Sequence, residues 1–146
     1  MKRTSRNESP YRVLIDRAEE ALAYAYAPYS HFHVGAALFG ADGKVWSGCN
    51  IENASFTAGI CAERTALFKA VSEGQIRFRA LVVVGQHEGE STLTEEFTAP
   101  CGVCRQALSE FCPSDMPVIL VNAEDEVMEY TLGELLPAAF GSEHLE

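Results

Sequence analysis

The apolar residues of this chain fall into alternating stretches of helical and strand periodicity. The first stretch follows Ser9-Pro10, a pair typical of a helix N-terminus because serine caps free backbone N–H groups and proline suits the first turn. Apolar side chains then recur at helical spacing, at Leu14, Ala18, Ala21, Leu22 and Ala25. The pattern predicts an amphipathic helix over residues 10–27, ended by Pro28 and preceded by a flexible tail over residues 1–8.

Two apolar runs, over residues 34–39 and 45–50, predict a pair of strands. Asp42-Gly43 lies between them and is a strong signal for a hairpin turn. A loop over residues 51–60 leads to a second helical pattern, which begins at Cys61 and ends near Gly74, a common C-terminal cap. Residues 79–84 are nearly all apolar, which predicts a strand buried on both faces.

The same arrangement repeats in the last third of the chain. A polar, acidic loop over residues 86–99 precedes a third helix, which opens at Cys101 and is stopped by Pro113. Strands are predicted at residues 118–121 and 127–130, Thr131 and Glu134 form a capping-box pattern, and a short helix or turn is predicted over residues 135–140. Five strands among these helices predict an α/β fold with a mixed sheet and the hairpin at one edge.

Composition and charge limit the classes of function that this chain can have. The chain has 146 residues, enough for one domain, and carries a formal net charge of −10. We expect no nucleic-acid partner, because a phosphate backbone requires a basic surface. No apolar run approaches the roughly 18 residues of a membrane span, so no membrane partner is expected either. The first ten residues lack the apolar core of a secretory signal, and we expect a cytoplasmic protein with reduced thiols.

The candidate chemistry lies in two short motifs, Cys61-Ala62-Glu63-Arg64 and Pro100-Cys101-Gly102-Val103-Cys104. Three thiolates can occupy three corners of a tetrahedral zinc site and leave the fourth for water. Both motifs open predicted helices, where exposed N–H groups stabilise thiolates. No histidine has metal spacing to these cysteines, so the set reads as an open, catalytic zinc site.

The residues beside the thiols have expected roles of their own. Glu63, two residues after the first thiol, is placed to move the protons of the bound water. Three thiolates exceed the charge of one zinc ion by one unit, and Arg64 can offset this by donating to a ligand sulfur. Each motif alone is weaker. A lone Cys-x-x-Cys also fits half of a structural zinc site or a redox pair, and Cys49 and Cys112 are expected to be buried or free thiols.

Together these motifs resemble the zinc-dependent deaminase signature in its three-cysteine form. The resemblance extends over residues 18–140 and is closest to the short, homotetrameric cytidine deaminases. It rests on four segments of this chain: Tyr29-Ser30-x-Phe32-x-Val34-Gly35-Ala36-Ala37-Leu38, Asn50-Ile51-Glu52-Asn53-Ala54-Ser55, Cys61-Ala62-Glu63-Arg64-Thr65-Ala66 and Pro100-Cys101-Gly102-x-Cys104-Arg105-Gln106.

The resemblance implies a three-layer α-β-α sandwich with a mixed five-stranded sheet, one zinc ion per subunit and a homotetramer. It implies hydrolysis of cytidine and deoxycytidine to uridine and deoxyuridine, by attack of zinc-activated water at C4 of the pyrimidine. Glu63 would act as base and then as acid. Five residues would contact the substrate: Phe32 at the pyrimidine, Asn50 and Glu52 at the ribose, Ala62 beside the zinc ligand, and Phe140, which resembles a residue that reaches a neighbouring subunit.

Two features depart from the family pattern, and three other functions stay open. Phe56-Thr57 stands where the family often has tyrosine and proline, and the acidic loop is long. A deaminase of a related aminopyrimidine nucleoside such as blasticidin S has similar motifs. A polynucleotide-editing deaminase is disfavoured by the negative charge. A structural zinc module would need a fourth protein ligand.

Overall fold

The computed structural model describes residues 1–146 and contains one six-stranded sheet. Its strands are β1 (Lys2–Ser5), β2 (Phe32–Gly40), β3 (Val45–Cys49), β4 (Phe78–His87), β5 (Pro117–Val121) and β6 (Glu126–Thr131). They lie in the order β1-β6-β5-β4-β2-β3, and only the β4–β5 pair is parallel. The predicted mixed sheet is confirmed, and the β2–β3 hairpin lies at one edge, with Gly43 at a positive φ of 87° in its turn.

The helices are α1 (Arg12–Ala21), α2 (Ala62–Ser72), α3 (Gly102–Phe111) and α4 (Leu132–Leu135). The first helix is shorter than predicted, and the prediction of Ser9 as its N-cap is wrong: Tyr11 holds that position, while the Ser9 hydroxyl accepts from the Tyr11 N–H. A 3-10 turn over Leu22–Tyr24 follows the end of the helix. A short helix or turn was predicted over residues 135–140. The structure has a turn at residues 137–138 and no helix over residues 136–140. The capping box of Thr131 and Glu134 is formed, and it starts α4 three residues earlier.

The two faces of the sheet carry separate apolar clusters. On one face α1 packs through Leu14, Ile15 and Ala18 against residues of β2, β4, β5 and β6. On the other face α2 and α3 pack on the alternate residues of the same strands, including Ala36 and Leu38. Successive side chains of a strand point to opposite faces, so one sheet serves both helical layers. The predicted three-layer α-β-α sandwich is confirmed.

A glycine on β3 sets how closely α2 approaches the sheet. A Cβ atom at Gly48 would lie 2.6 Å from the Ala66 nitrogen and 2.7 Å from the Ala62 carbonyl oxygen. Real Cβ atoms do not come so close to backbone, so glycine is needed for α2 to lie directly on β3. This contact fixes the first turn of α2, where the first zinc-ligand candidate lies.

The prediction of a flexible tail at residues 1–8 and of a five-stranded sheet is wrong. Lys2–Ser5 form β1, which pairs antiparallel with β6 from Lys2 opposite Glu129 to Ser5 opposite Glu126. The strand has no alternation of apolar and polar residues, so its sequence gave no signal. It is held instead by backbone pairing and by Arg6, which contacts Asp16 and Glu19 of α1 at 2.7 and 2.5 Å.

No helix of the structure has the length and apolar character needed to span a bilayer.

Replacing Arg6 tests whether the N-terminal residues belong to the folded structure. Arg6→Ala removes a guanidinium that is only 21% exposed and bonds both Asp16 and Glu19, and we expect it to lower the free energy of unfolding by about 1 kcal/mol. Arg3→Ala is the control, because Arg3 makes one ion pair at 3.8 Å and is 66% exposed. Equal unfolding midpoints for the two variants in urea would show that Arg6 anchors nothing.

Candidate active site

Two helix N-termini bring the predicted zinc ligands together. Cys61 is the N-terminal cap residue of α2 and Cys101 that of α3, and neither sulfur caps a backbone N–H group. Both thiols are therefore free to face a common point. Cys104, in the first turn of α3, is fully buried beside them. The predicted placement of both motifs at helix starts is confirmed.

The three sulfurs are spaced as a tetrahedral metal site requires. The sulfurs of Cys61, Cys101 and Cys104 lie within 4.8 Å of one another, and the Cys61–Cys101 separation is 3.8 Å. Zinc–sulfur bonds of ~2.3 Å in a tetrahedron place two sulfurs about 3.8 Å apart. No histidine, aspartate or glutamate joins this cluster, and all three cysteines are free thiols. The donor set fits zinc with one open position, and the structure provides no fourth protein ligand.

Arg64 contacts two of the three sulfurs, those of Cys61 and Cys104. Its Nε donates to Cys104 Sγ at 3.4 Å, and its Nη2 donates to Cys61 Sγ at 3.5 Å. Without metal, a hydrogen bond from the Cys104 thiol and the Arg64 guanidinium lower the pKa of Cys61 to about 5. The same contact with Cys61 raises the pKa of Cys104, so the pair shares one proton. The predicted contact between Arg64 and the ligand sulfurs is present.

Glu63 points away from solvent into the cleft beside the thiols. Its residue is 3% exposed, and burial raises the pKa of its carboxyl to about 7. A group with this pKa can hold or release a proton near neutral pH, which is the property of a general acid and base. Ala62, fully buried, is the residue between Cys61 and Glu63 and also lines the cleft.

The cleft has a volume of about 620 Å³, in the range of sites for small organic molecules. Its walls include most of the predicted site residues: Phe32, Asn50, Glu52, Cys61, Ala62, Glu63, Arg64 and Cys101. Cys104 lies behind them and is fully buried. The walls of the cleft also contain Tyr29, Ser30, Phe56 and Thr98, to which the sequence analysis assigned no role. Tyr29 and Ser30 could have been found, since they directly precede Phe32 in a segment already singled out.

The predicted ribose contacts also hold the protein's own backbone. Asn50 Oδ1 accepts from the Val34 N–H at 2.8 Å, and its Nδ2 donates to the Phe32 carbonyl at 2.8 Å. Glu52 accepts from the Tyr29 and Ser30 N–H groups at 3.0 and 3.1 Å and from the Ser30 hydroxyl. These hydrogen bonds lower the pKa of Glu52, that from the Ser30 hydroxyl most of all.

Phe140 lies outside the cleft of its own chain. Its ring stacks on His144 with the ring centres 5.0 Å apart, and it lines a separate cavity of about 150 Å³ beside Cys112. The side chain is 58% exposed. The structure therefore brings together every predicted site residue except Phe140.

Comparisons with known proteins show the family of this chain. Residues 9–120 match the family model described as "Cytidine and deoxycytidylate deaminase zinc-binding region". The chain belongs to this family. The matched region contains all three thiols, Glu63 and Arg64, and the resemblance on which the sequence analysis relied is confirmed.

Individual members of the deaminase family match along nearly their whole length. The chain is 48% identical to a cytidine deaminase of Sporosarcina psychrophila, over 90% of this chain and 92% of that one. A crystal structure of cytidine deaminase from Burkholderia pseudomallei superposes with a TM-score of 0.81 at 46% identity, covering 90% of this chain and all of that one. A blasticidin-S deaminase of Bacillus cereus is 30% identical, over 87% of this chain and 89% of that one.

Replacing Arg64 tests its effect on the thiols. Arg64→Gln removes the positive charge beside Cys61 and Cys104, so their thiolates become less stable and protons compete better with zinc. We expect the zinc of the variant to be released at higher pH during acidification, by about one pH unit, measured with a zinc-sensitive dye. The sign follows from these contacts: Arg64, together with the hydrogen bond from Cys104, lowers the pKa of Cys61, and it also lowers the pKa of Cys104, so without Arg64 protons displace zinc at a higher pH. Identical release curves would exclude this role.

Proposed function

We propose that this protein hydrolyses cytidine and deoxycytidine to uridine and deoxyuridine, releasing ammonia. The observation that carries the proposal is the buried carboxyl of Glu63 beside three thiols at the floor of a cleft of about 620 Å³. The cytidine deaminases that match at 46–48% identity support the same substrate. The proposal includes a role in pyrimidine salvage in the cytoplasm.

We propose that Cys61, Cys101 and Cys104 hold one zinc ion per subunit. Zinc in such a site lowers the pKa of a bound water towards neutrality, which supplies a nucleophile at physiological pH. Arg64 balances the third thiolate through its contacts with Cys61 and Cys104. The protein's own contribution to the reaction then lies in binding, orientation and proton transfer.

Glu63 carries the protons. It takes one from the attacking water and delivers it to ring N3 of the pyrimidine, so that C4 accepts the oxygen without charge building up on the ring. It then takes the second proton from that oxygen and gives it to the amino group, which leaves as ammonia. Glu63 therefore accepts and donates a proton twice in each turnover. This suits a carboxyl with a pKa of about 7, raised by burial.

The walls of the cleft orient the nucleoside. We propose that Phe32 packs against the pyrimidine, that the Ala62 backbone contacts the base, and that Asn50 and Glu52 bind the ribose. Both side chains still have hydrogen-bonding positions available for the ribose hydroxyls. Asn50 has used one of its two amide protons, and Glu52 has used three of about four acceptor positions. The backbone bonds fix both side chains before substrate arrives.

Blasticidin-S deamination is the second candidate, supported by the 30% identical relative. The higher identity to cytidine deaminases favours cytidine. The decrease in absorbance on conversion of the cytosine ring, measured in parallel with cytidine, deoxycytidine and blasticidin S, separates the two. A larger kcat/KM for blasticidin S than for either nucleoside would overturn the proposal.

The Glu63 variant tests the mechanism. Glu63→Gln keeps the shape of the side chain and the three thiols, and we expect one zinc per chain with a loss of kcat of about 10³-fold, since general acid–base groups contribute roughly 10²–10⁴. Zinc content is measured by metal analysis and turnover by uridine formation. Glu52→Gln, at the ribose, should instead raise KM more than it lowers kcat. Near-normal kcat in Glu63→Gln would remove Glu63 from the chemistry.

We propose that the chain assembles as a homotetramer and that Phe140 reaches the cleft of a neighbouring subunit. Three large apolar residues of the cleft wall are at least 43% exposed: Tyr29, Ile51 and Phe56. An exposed apolar surface of this kind is typical of a protein interface. Phe140, exposed and outside its own cleft, is available for such a contact.

Light scattering tests the assembly. We expect four chains per particle for the parent protein and a smaller particle for Phe56→Lys, because Phe56 is 82% exposed at the mouth of the cleft. Ile76→Lys is the control: it is 52% exposed, in the turn between α2 and β4. A monomeric parent protein would contradict the assembly.

A further inference from the structure

One short segment, residues 29–32, forms the wall of the cleft between the end of the α1 region and β2. Tyr29, Ser30 and Phe32 line the cleft, and His31 faces outward and is 60% exposed in its side chain. His31 adopts a positive φ of 57°, which non-glycine residues adopt at a cost and only where neighbouring contacts hold them. The direction of Phe32 therefore depends on what fixes this segment.

The inner side of the segment is held by Glu52. Its carboxylate accepts from the N–H groups of Tyr29 and Ser30 and from the Ser30 hydroxyl, and that hydroxyl oxygen accepts from the Phe32 N–H at 3.1 Å. These bonds fix the residues before Phe32 on the cleft side. They leave the outer side, at His31, to a different residue.

The outer side is held by Glu88, the residue after β4. Its Oε2 lies 2.6 Å from His31 Nδ1, and because a carboxylate only accepts, the imidazole nitrogen donates. The Glu88 N–H donates to the His31 carbonyl at 2.8 Å, so both the side chain and the backbone of Glu88 bind His31. Phe32 pairs with His87 in the sheet, and the two rings meet edge to face with centres 5.0 Å apart.

We infer that Glu88 is a positioning residue for nucleoside binding, which fixes the direction of Phe32 by holding His31 from the outer side. The inference gives the start of the acidic loop over residues 86–99 a function and rests on the proposed function for the role of Phe32. Glu88 does not touch the cleft, so it acts only through His31.

The inference predicts which kinetic constant changes. Glu63 and the three thiols lie in or directly before α2 and α3. Glu88 forms its hydrogen bonds with His31 and none with these four residues. Loss of the Glu88 contact frees the segment on one side, so Phe32 must be ordered when the nucleoside binds. The cost therefore falls on KM, and kcat is retained.

Four variants test the inference in the assembled, zinc-loaded enzyme. Glu88→Ala removes the carboxylate, and His31→Asn removes its partner while keeping a residue that tolerates positive φ. We expect each to raise KM for cytidine about twofold to fivefold, as for loss of an exposed hydrogen bond to a carboxylate, with kcat within about twofold of the parent. The double variant should be no worse than either single one. Glu90→Ala is the control, since Glu90 lies in the same loop, has the same charge and has no side-chain partner.

Backbone amide exchange in the ligand-free protein provides a readout that does not depend on turnover. Glu88→Ala should speed exchange at His31 and Phe32 several-fold relative to Glu90→Ala, while exchange in α2 is unchanged. Equal exchange or equal KM in the Glu88 and Glu90 variants overturns the inference, and so do additive effects in the double variant. If the parent does not deaminate cytidine, the proposed function fails, and exchange alone decides whether Glu88 holds the segment.

Discussion

The site depends on the convergence of two helix N-termini on one point. Cys61 directly precedes α2 and Cys101 directly precedes α3, and their sulfurs meet because the two helices lie side by side on the same face of the sheet. Gly48 lets α2 rest on β3 without a side chain between them. The parallel strands β4 and β5 flank the connection that contains α3. The layer structure therefore serves to bring three thiols within 4.8 Å of one another.

Burial of Cys104 and Glu63, together with the charge of Arg64, determines the electrostatics of the site. Thiolates at Cys61 and at the buried Cys104 need a counter-charge, and Arg64 provides it through one hydrogen bond to each sulfur. The same burial makes the ionised form of Glu63 costly and raises its pKa to about 7. Hydrogen bonds from Cys104 and Arg64 lower the pKa of Cys61, whereas burial raises the pKa of Glu63.

Local sequence patterns predicted the elements that carry the chemistry, because those patterns are strong. Apolar periodicity after Cys61 and Cys101 gave both helices, and Asp42-Gly43 gave the hairpin. Strand β1 was missed because Lys2–Ser5 have no apolar alternation and are held by pairing with residues far along the chain. The bonds from Glu52 and Glu88 to residues 29–31 were missed for the same reason, since they join residues 22 to 57 positions apart. Phe140 was expected at the site by resemblance alone, and in this chain it stacks on His144 outside the cleft.

We propose that three thiols of this chain hold zinc and leave one position open. X-ray absorption spectroscopy at the zinc edge measures this coordination directly. We expect three sulfur neighbours at about 2.3 Å and one oxygen or nitrogen neighbour at about 2.0 Å, with the oxygen or nitrogen signal altered when a cytidine analogue binds. Four sulfur neighbours, or a spectrum that the analogue leaves unchanged, would contradict it and indicate a structural zinc site.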